Sequence, residues 1–289
     1  MDFSSIDYLL DESAKNGLPI GQIVLREEQR ESGAAKEAIM ERIARTWQVM
    51  KNAANAGIAT DMRSVSGLTG GDAAQYYNHL RNHKNLLGTL EAKAVAYALA
   101  TSGYNAAMGV IAAAPTAGAA GILPGVLIAA QEEYGFSERD AYEALLTAGG
   151  IGTAIANRAT ISGASGGCQA ECGTAAAMAA AALTEVMGGT PRKCVDAAAL
   201  ALKNCLGLAC DPVAGLVEVP CVKRNGVYAV LAITAADMAL AGIRSFIPLD
   251  EVIDSMYQIG CGMPSCIRET GEGGLAATPT GQAAKRRLT

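Results

Sequence analysis

The sequence predicts an all-α fold, a single helical domain over residues 1–289 with glycine-rich loops between the helices. Three observations carry that expectation. Hydrophobic residues make up 51% of the chain but aromatics only 4%, so the apolar mass is mainly Ala, Ile, Leu, Val and Met. Alanine favours helices and fills strand faces badly. Apolar residues recur at helical spacing, as at Ile39, Ile43, Trp47, Met50 and Ala54. Only residues 216–222 carry even a weak strand pattern.

Taken in order, Gly57 is expected to close the helix that holds Trp47. Gly70-Gly71-Asp72 offers an N-cap for a helix through Tyr76, Leu80 and His83. Residues 91–111 continue as helix, with an interruption expected near Ser102-Gly103. The stretch 106–130 is uncharged, which raises the question of a membrane span. Pro115, Gly118, Gly121, Pro124 and Gly125 would break a spanning helix, so it reads as a buried loop. Ser137 with Asp140 resembles a capping box for a helix ending near Ala156. Residues 169–187 are almost wholly apolar and must be buried on all sides. Thr190-Pro191 supplies a cap and a first-turn proline for a helix through Leu202. Helices over 227–243 and 248–259 follow, and Lys285-Arg286-Arg287 reads as a frayed, solvated terminus. No repeat, linker or internal boundary divides the chain.

A net charge of −5, with no basic patch beyond that tail, argues against a nucleic-acid partner. Met1-Asp2-Phe3-Ser4 opens no secretory signal, so the cysteines are expected as thiols in a reducing compartment, the cytoplasm. Walker A, dinucleotide, His-Glu-x-x-His and Gly-x-Ser-x-Gly patterns are all missing. No lysine lies in a recognisable Schiff-base segment and no loop reads as a phosphate cup, so pyridoxal phosphate is not expected. His79 and His83 have a spacing that suits a metal pair, but nearby ligand residues are lacking and a surface or core-edge role is preferred.

Four loops exceed what a connector needs: residues 114–121, 162–168, 210–215 and 268–274. Each mixes glycine with small hydroxyl or charged residues, letting backbone approach a ligand closely. All eight cysteines, Cys168, Cys172, Cys194, Cys205, Cys210, Cys221, Cys261 and Cys266, lie in the C-terminal half. Paired Cys-x-x-Cys knuckles of structural zinc and the compact ferredoxin spacing are both absent. What remains is a dispersed set, with Cys168 and Cys210 in glycine-bearing loops and Cys221 after Pro220. Three thiolates on a [4Fe–4S] cluster would leave one iron open as a Lewis acid. Cys194, Cys205, Cys261 and Cys266 read instead as small buried apolar residues, and Cys172 is open to either role.

At these residues the chain resembles the iron–sulfur-dependent L-serine dehydratases. The likeness lies in Gly167-Cys168-Gln169-Ala170-Glu171, in Cys210-Asp211-Pro212-Val213-Ala214-Gly215 through Val219-Pro220-Cys221, in Arg268-Glu269-Thr270-Gly271-Glu272-Gly273-Gly274, and in Ala114-Pro115-Thr116-Ala117-Gly118. The resemblance implies the family's all-helical catalytic domain, with Cys168, Cys210 and Cys221 holding a [4Fe–4S] cluster in the half spanning about 160–280. It implies an ammonia-lyase of amino-acid degradation that takes L-serine to pyruvate and ammonia. Thr116, Gly118, Ser162 and Ser165 are candidates to bind the substrate carboxylate, and Arg268 pairs either with that carboxylate or with Glu269. Glu171, Glu218 and Glu269 are candidate bases, with loop orientation the alternative role for Glu171 and Glu218. Single-chain members carry a regulatory domain with a Ser-Ser-Ser-His-Thr segment, whose histidine the resemblance implies as a catalytic base; it has no counterpart here, which implies the α subunit of a two-subunit form with that piece on a β partner. Some members end in a cysteine that caps the open iron, whereas this chain ends Arg287-Leu288-Thr289. A desulfidase acting on L-cysteine with the same cluster, a non-enzymatic iron–sulfur protein and a plain helical scaffold remain the alternatives.

Overall fold

The computed structural model describes residues 5–59 and 61–288, and among them every regular element is a helix. The order is α1 (Ile6–Asn16), α2 (Ile20–Ser32), α3 (Lys36–Ala59), α4 (Asp72–Asn82), α5 (Thr89–Ala106), α6 (Ile122–Tyr134) and α7 (Glu138–Arg158). There follow a single turn α8 (Gly163–Gly166), α9 (Thr174–Val186), α10 (Pro191–Lys203), α11 (Cys221–Leu240), α12 (Leu249–Gly262) and α13 (Pro279–Leu288). Met1-Asp2-Phe3-Ser4 and Thr289, which entered the reading of the termini, lie outside the described residues.

Helix α9 forms the axis of the packing. It has no polar face, and residues 174–184 are all buried between α6, α7, α10 and α11. Alanine makes such a centre possible, because a methyl side chain lets neighbouring backbones approach closely. Helix α5 packs in turn on α3, α4, α6 and α11. The first two helices are tied down by carboxylates from distant elements. Asp250 Oδ1 accepts the Ile6 N–H at 3.0 Å, and Glu185 Oε2 accepts that of Ile20 at 2.9 Å. Both bonds satisfy helix N-termini that their own cap residues, Ser5 and Pro19, leave without a side-chain cap bond. The capping box of Ser137 and Asp140 is complete, and Thr190 accepts from Lys193 N with Pro191 in the first turn.

Several expectations need correction. Residues 216–222 form no strand: Val213 N–H donates to Val219 O, closing a local turn, and α11 already begins at Cys221. The stretch 106–130 is not all loop, since Ile122 to Ala130 are buried residues of α6. Pro124 falls in its first turn, where a missing N–H forfeits no intrahelical bond. No helix among the described residues is long and apolar enough to cross a membrane. Helix α5 runs unbroken through Ser102-Gly103 but stops at Ala106 rather than reaching 111. Lys285-Arg286-Arg287 belong to helix α13, whose start is fixed by Gly281 N–H donating to Thr278 Oγ1. Cys261 is exposed, because the buried face of α12 runs through Val252, Ile253, Met256 and Gly260 and position 261 points off it.

Gly57 does not end α3 but lies inside it, buried against α5. A Cβ there would stand 2.2 Å from the Ala100 carbonyl oxygen, so glycine is required by the helix crossing. Gly57→Ala would gain about 1 kcal/mol of helix propensity. The clash is with backbone and forces the helices apart, an overpacking cost of roughly 1–3 kcal/mol or more. The variant is therefore expected to unfold at lower temperature than the parent in a thermal melt followed by circular dichroism; an unchanged or raised Tm would show that the crossing relaxes freely.

Candidate active site

Three chain segments bring thiols together. Cys168 follows α8 and leads through a π turn at Gln169–Gly173 into α9. Cys210 lies in the loop after α10, and Cys221 is the first residue of α11. All three are buried. They are close enough that the charge of Cys168 raises both others, although burial is the larger cause in each case. Cys221 is pushed up to about 12, and Cys210 is raised as well. Cys168 goes the other way: it is lowered by a hydrogen bond with Cys172, 3.4 Å away, and by the neighbouring Arg224 guanidinium, against its own burial. Cys172 is raised by the same hydrogen bond and by its burial. The residue left open between two roles thus lies beside the thiol set, whereas Cys194 and Cys205 are buried on α10 and just after it.

Buried polar side chains stitch these segments to one another. Gln169, fully buried, donates to Gly166 O and Met256 O and accepts from Gly207 N, each at 2.9 Å. Asn225 donates to Gly118 O at 2.8 Å and Cys221 O at 2.9 Å, and accepts from Gly121 N, fixing the 116–121 loop on the first turn of α11. Cys210 N–H donates to Ile267 O and Glu269 N–H to Cys210 O, a short parallel bridge between two of the glycine-rich loops. Neither Gln169 nor Asn225 was given a role from the sequence; Gln169 entered only as part of a motif, and Asn225 follows Lys223-Arg224 with no pattern that marks it as buried.

Two carboxylates border the thiols. One oxygen each of Glu171 and Glu269 and the sulfur of Cys210 lie within 4.8 Å of one another. Glu171 Oε1 accepts the Thr116 hydroxyl at 2.7 Å, and Oε2 is 3.9 Å from Cys210 Sγ. Burial raises the Glu171 carboxyl, the charge of Glu269 adds to this, and the bonds from Thr116 and Cys210 oppose it. Glu269 reaches this place on a left-handed backbone, φ 66°. Glu218 is differently employed: it is buried and accepts the hydroxyls of Ser66 at 2.6 Å and Thr69 at 3.4 Å, anchoring the turn before α4.

The residues expected to bind a carboxylate divide in the same way. Thr116 is committed to Glu171, and the Gly118 carbonyl to Asn225. Ser162 starts α8, where its carbonyl accepts from Ser165 and Gly166, and Ser165 is exposed. Arg268 Nη1 reaches the Ser165 carbonyl only at 3.5 Å, and its buried Nε has no partner. His79 and His83 stack at 4.9 Å on the exposed side of α4, in agreement with a surface role. Three sulfurs from separate segments suit a thiophilic metal group rather than a zinc knuckle, which draws ligands in close pairs.

Comparison with known proteins gives a consistent picture. The family described as serine dehydratase alpha chain matches residues 15–276. The chain is 49% identical to the probable L-serine dehydratase alpha chain of Bacillus subtilis (strain 168), over 99% of this chain and 95% of that one. It is 43% identical to the L-serine dehydratase alpha chain of Peptoniphilus asaccharolyticus, over 96% and 95%. Identity to L-serine dehydratase TdcG of Escherichia coli (strain K12) is 39%, over 95% of this chain but 62% of the relative.

Proposed function

This chain belongs to the serine dehydratase alpha-chain family, and we propose that it is the catalytic chain of a cytoplasmic lyase that converts L-serine to pyruvate and ammonia. Its residues act as one helical catalytic domain. What supports this reading is the grouping of Cys210, Glu171 and Glu269, with buried Cys168 and Cys221 near enough to act on Cys210 electrostatically. These thiols fit a [4Fe–4S] cluster in donor chemistry, since such clusters take thiolate ligands. The cradle fits as well: a Cβ on Gly163 would stand 3.0 Å from Cys210 Sγ and 2.6 Å from Glu171 Oε2, so only bare backbone leaves this space clear. Bound through three thiolates, the cluster supplies an iron free to act as a Lewis acid toward a substrate oxygen.

The chain's own residues do the rest. Arg268 takes the substrate carboxylate, having an unpartnered Nε and one long bond to spare. Ser162, Ser165 and the Gly118 backbone line the approach. Thr116 holds Glu171 by its hydroxyl, so the carboxylate rather than the threonine meets the substrate. Glu171 accepts the Cα proton; that electron pair forms the Cα=Cβ bond as the Cβ–O bond breaks, and Glu171 returns the proton to the departing hydroxyl, which leaves as water. The resulting enamine tautomerises to an imine, which water hydrolyses to pyruvate and ammonium.

A β chain carrying a regulatory domain completes the enzyme. The Escherichia coli relative extends well past the matched region, and this chain's two histidines sit exposed on α4, apart from the loops gathered here. The test is pyruvate formation from L-serine by the anaerobically reconstituted chain, alone and with its β partner, at equal iron and sulfide content. Turnover should be higher with both chains. A fully loaded two-chain protein that forms no pyruvate from L-serine would overturn the proposal, and sulfide release from L-cysteine instead would make it a desulfidase.

A further inference from the structure

We infer that Arg224 is the positioning cation that ties the Cys210 and Cys221 segments together and balances the charge of the cluster cysteines, an inference that rests on the cluster reading above. Arg224 lies in the first turn of α11, the helix that Cys221 begins. Its half-enclosed guanidinium reaches across to the Cys210 segment at two points. Nη1 donates to Ala209 O at 2.8 Å, the residue before Cys210, and Nη2 donates to Asp211 Oδ1 at 3.0 Å, the residue after it. The charge of the same group acts on Cys168 and lowers its thiol. One planar fork, carried by the Cys221 helix, therefore grips the Cys210 segment on both sides of the cysteine.

The strut continues beyond arginine. Asp211, whose side chain is 7% exposed, accepts Arg224 on one oxygen and the Leu275 N–H on the other at 2.8 Å. The loop that presents Arg268 and Glu269 is thereby tied to the same anchor. Guanidinium suits this position because its donors are fixed in a plane and point in several directions, whereas an ammonium serves one point. A buried set of thiolates also needs a compensating charge nearby, and Arg224 brings a permanent one to Cys168. Groups outside the ligands that hold and charge-balance them raise cluster retention and set its potential. Both effects follow here from a single side chain.

The test uses the two-chain enzyme purified anaerobically, as the parent and as Arg224→Gln, Arg224→Lys and Asp211→Asn. Iron and acid-labile sulfide, the rate of cluster loss to a chelator, the midpoint potential and helical circular dichroism are read for each. Arg224→Gln is expected to lose its cluster about ten- to hundredfold faster than the parent, and the cluster it retains should have a more negative potential. Arg224→Lys should restore the potential but only part of the retention, since it returns the charge without the fork. Asp211→Asn keeps the charge at Cys168 and loses the ion pair, so retention should fall with the potential near that of the parent. Parent-like retention and potential in Arg224→Gln would overturn the inference. Should that variant fail to fold, parent-like retention in both Arg224→Lys and Asp211→Asn would overturn it equally. A parent enzyme that takes up no iron fails at the cluster reading instead, a result distinct from a loaded parent whose variants are indifferent.

Discussion

Cys210→Ser is expected to remove the cluster altogether, and Cys168→Ser and Cys221→Ser to do the same. A serine hydroxyl is a harder, far less acidic donor than a thiol, so on the cluster reading proposed above each change takes away one of three iron ligands. The broad visible absorbance, the iron and the labile sulfide should all fall to background, and pyruvate formation with them. Cys194→Ser and Cys205→Ser make the contrast. These thiols are buried among apolar neighbours, so a hydroxyl there costs about 1–3 kcal/mol of stability but leaves the cluster in place. Cys261→Ser, on an exposed position, should change neither. Normal iron in Cys210→Ser would refute the ligand set. Loss of iron in Cys172→Ser would widen it, since that thiol already shares a hydrogen bond with Cys168.

The second large effect is expected at Glu171. Glu171→Gln keeps an oxygen to accept the Thr116 hydroxyl and keeps the side-chain volume, but cannot take up a proton. Loss of a general base costs about 10²–10⁴-fold in kcat, and the variant should show it while iron content and helical circular dichroism stay at parent levels. Glu218→Gln is the matched control: its carboxylate is engaged by Ser66 and Thr69, so a loss there should appear as lower stability rather than lower turnover at full loading. If Glu171→Gln turns over L-serine like the parent, the proton acceptor belongs to the β chain, as the family resemblance implies for a histidine there.

The sequence by itself determined the helical class, the wholly buried segment that became α9, and the caps at Ser137 and Thr190, because each depends on residues close together in the chain. It also singled out the four loops, since glycine beside hydroxyl and charged residues is unusual between apolar helices. Tertiary structure decided what those loops share. Arg224 and Asn225 belonged to no motif, Asp211 and Gln169 had no role of their own within theirs, and what each does arises from partners on other segments. The same holds for the division among the glutamates: Glu171, Glu218 and Glu269 read alike as acidic residues in glycine-rich surroundings, but packing set Glu171 and Glu269 against Cys210 and gave Glu218 to the turn before α4. Gly57 was misread for a related reason. A glycine after an amphipathic run ends a helix when solvent lies beyond it, and continues the helix when another backbone must pass within reach of its missing Cβ; only the α5 crossing distinguishes the two.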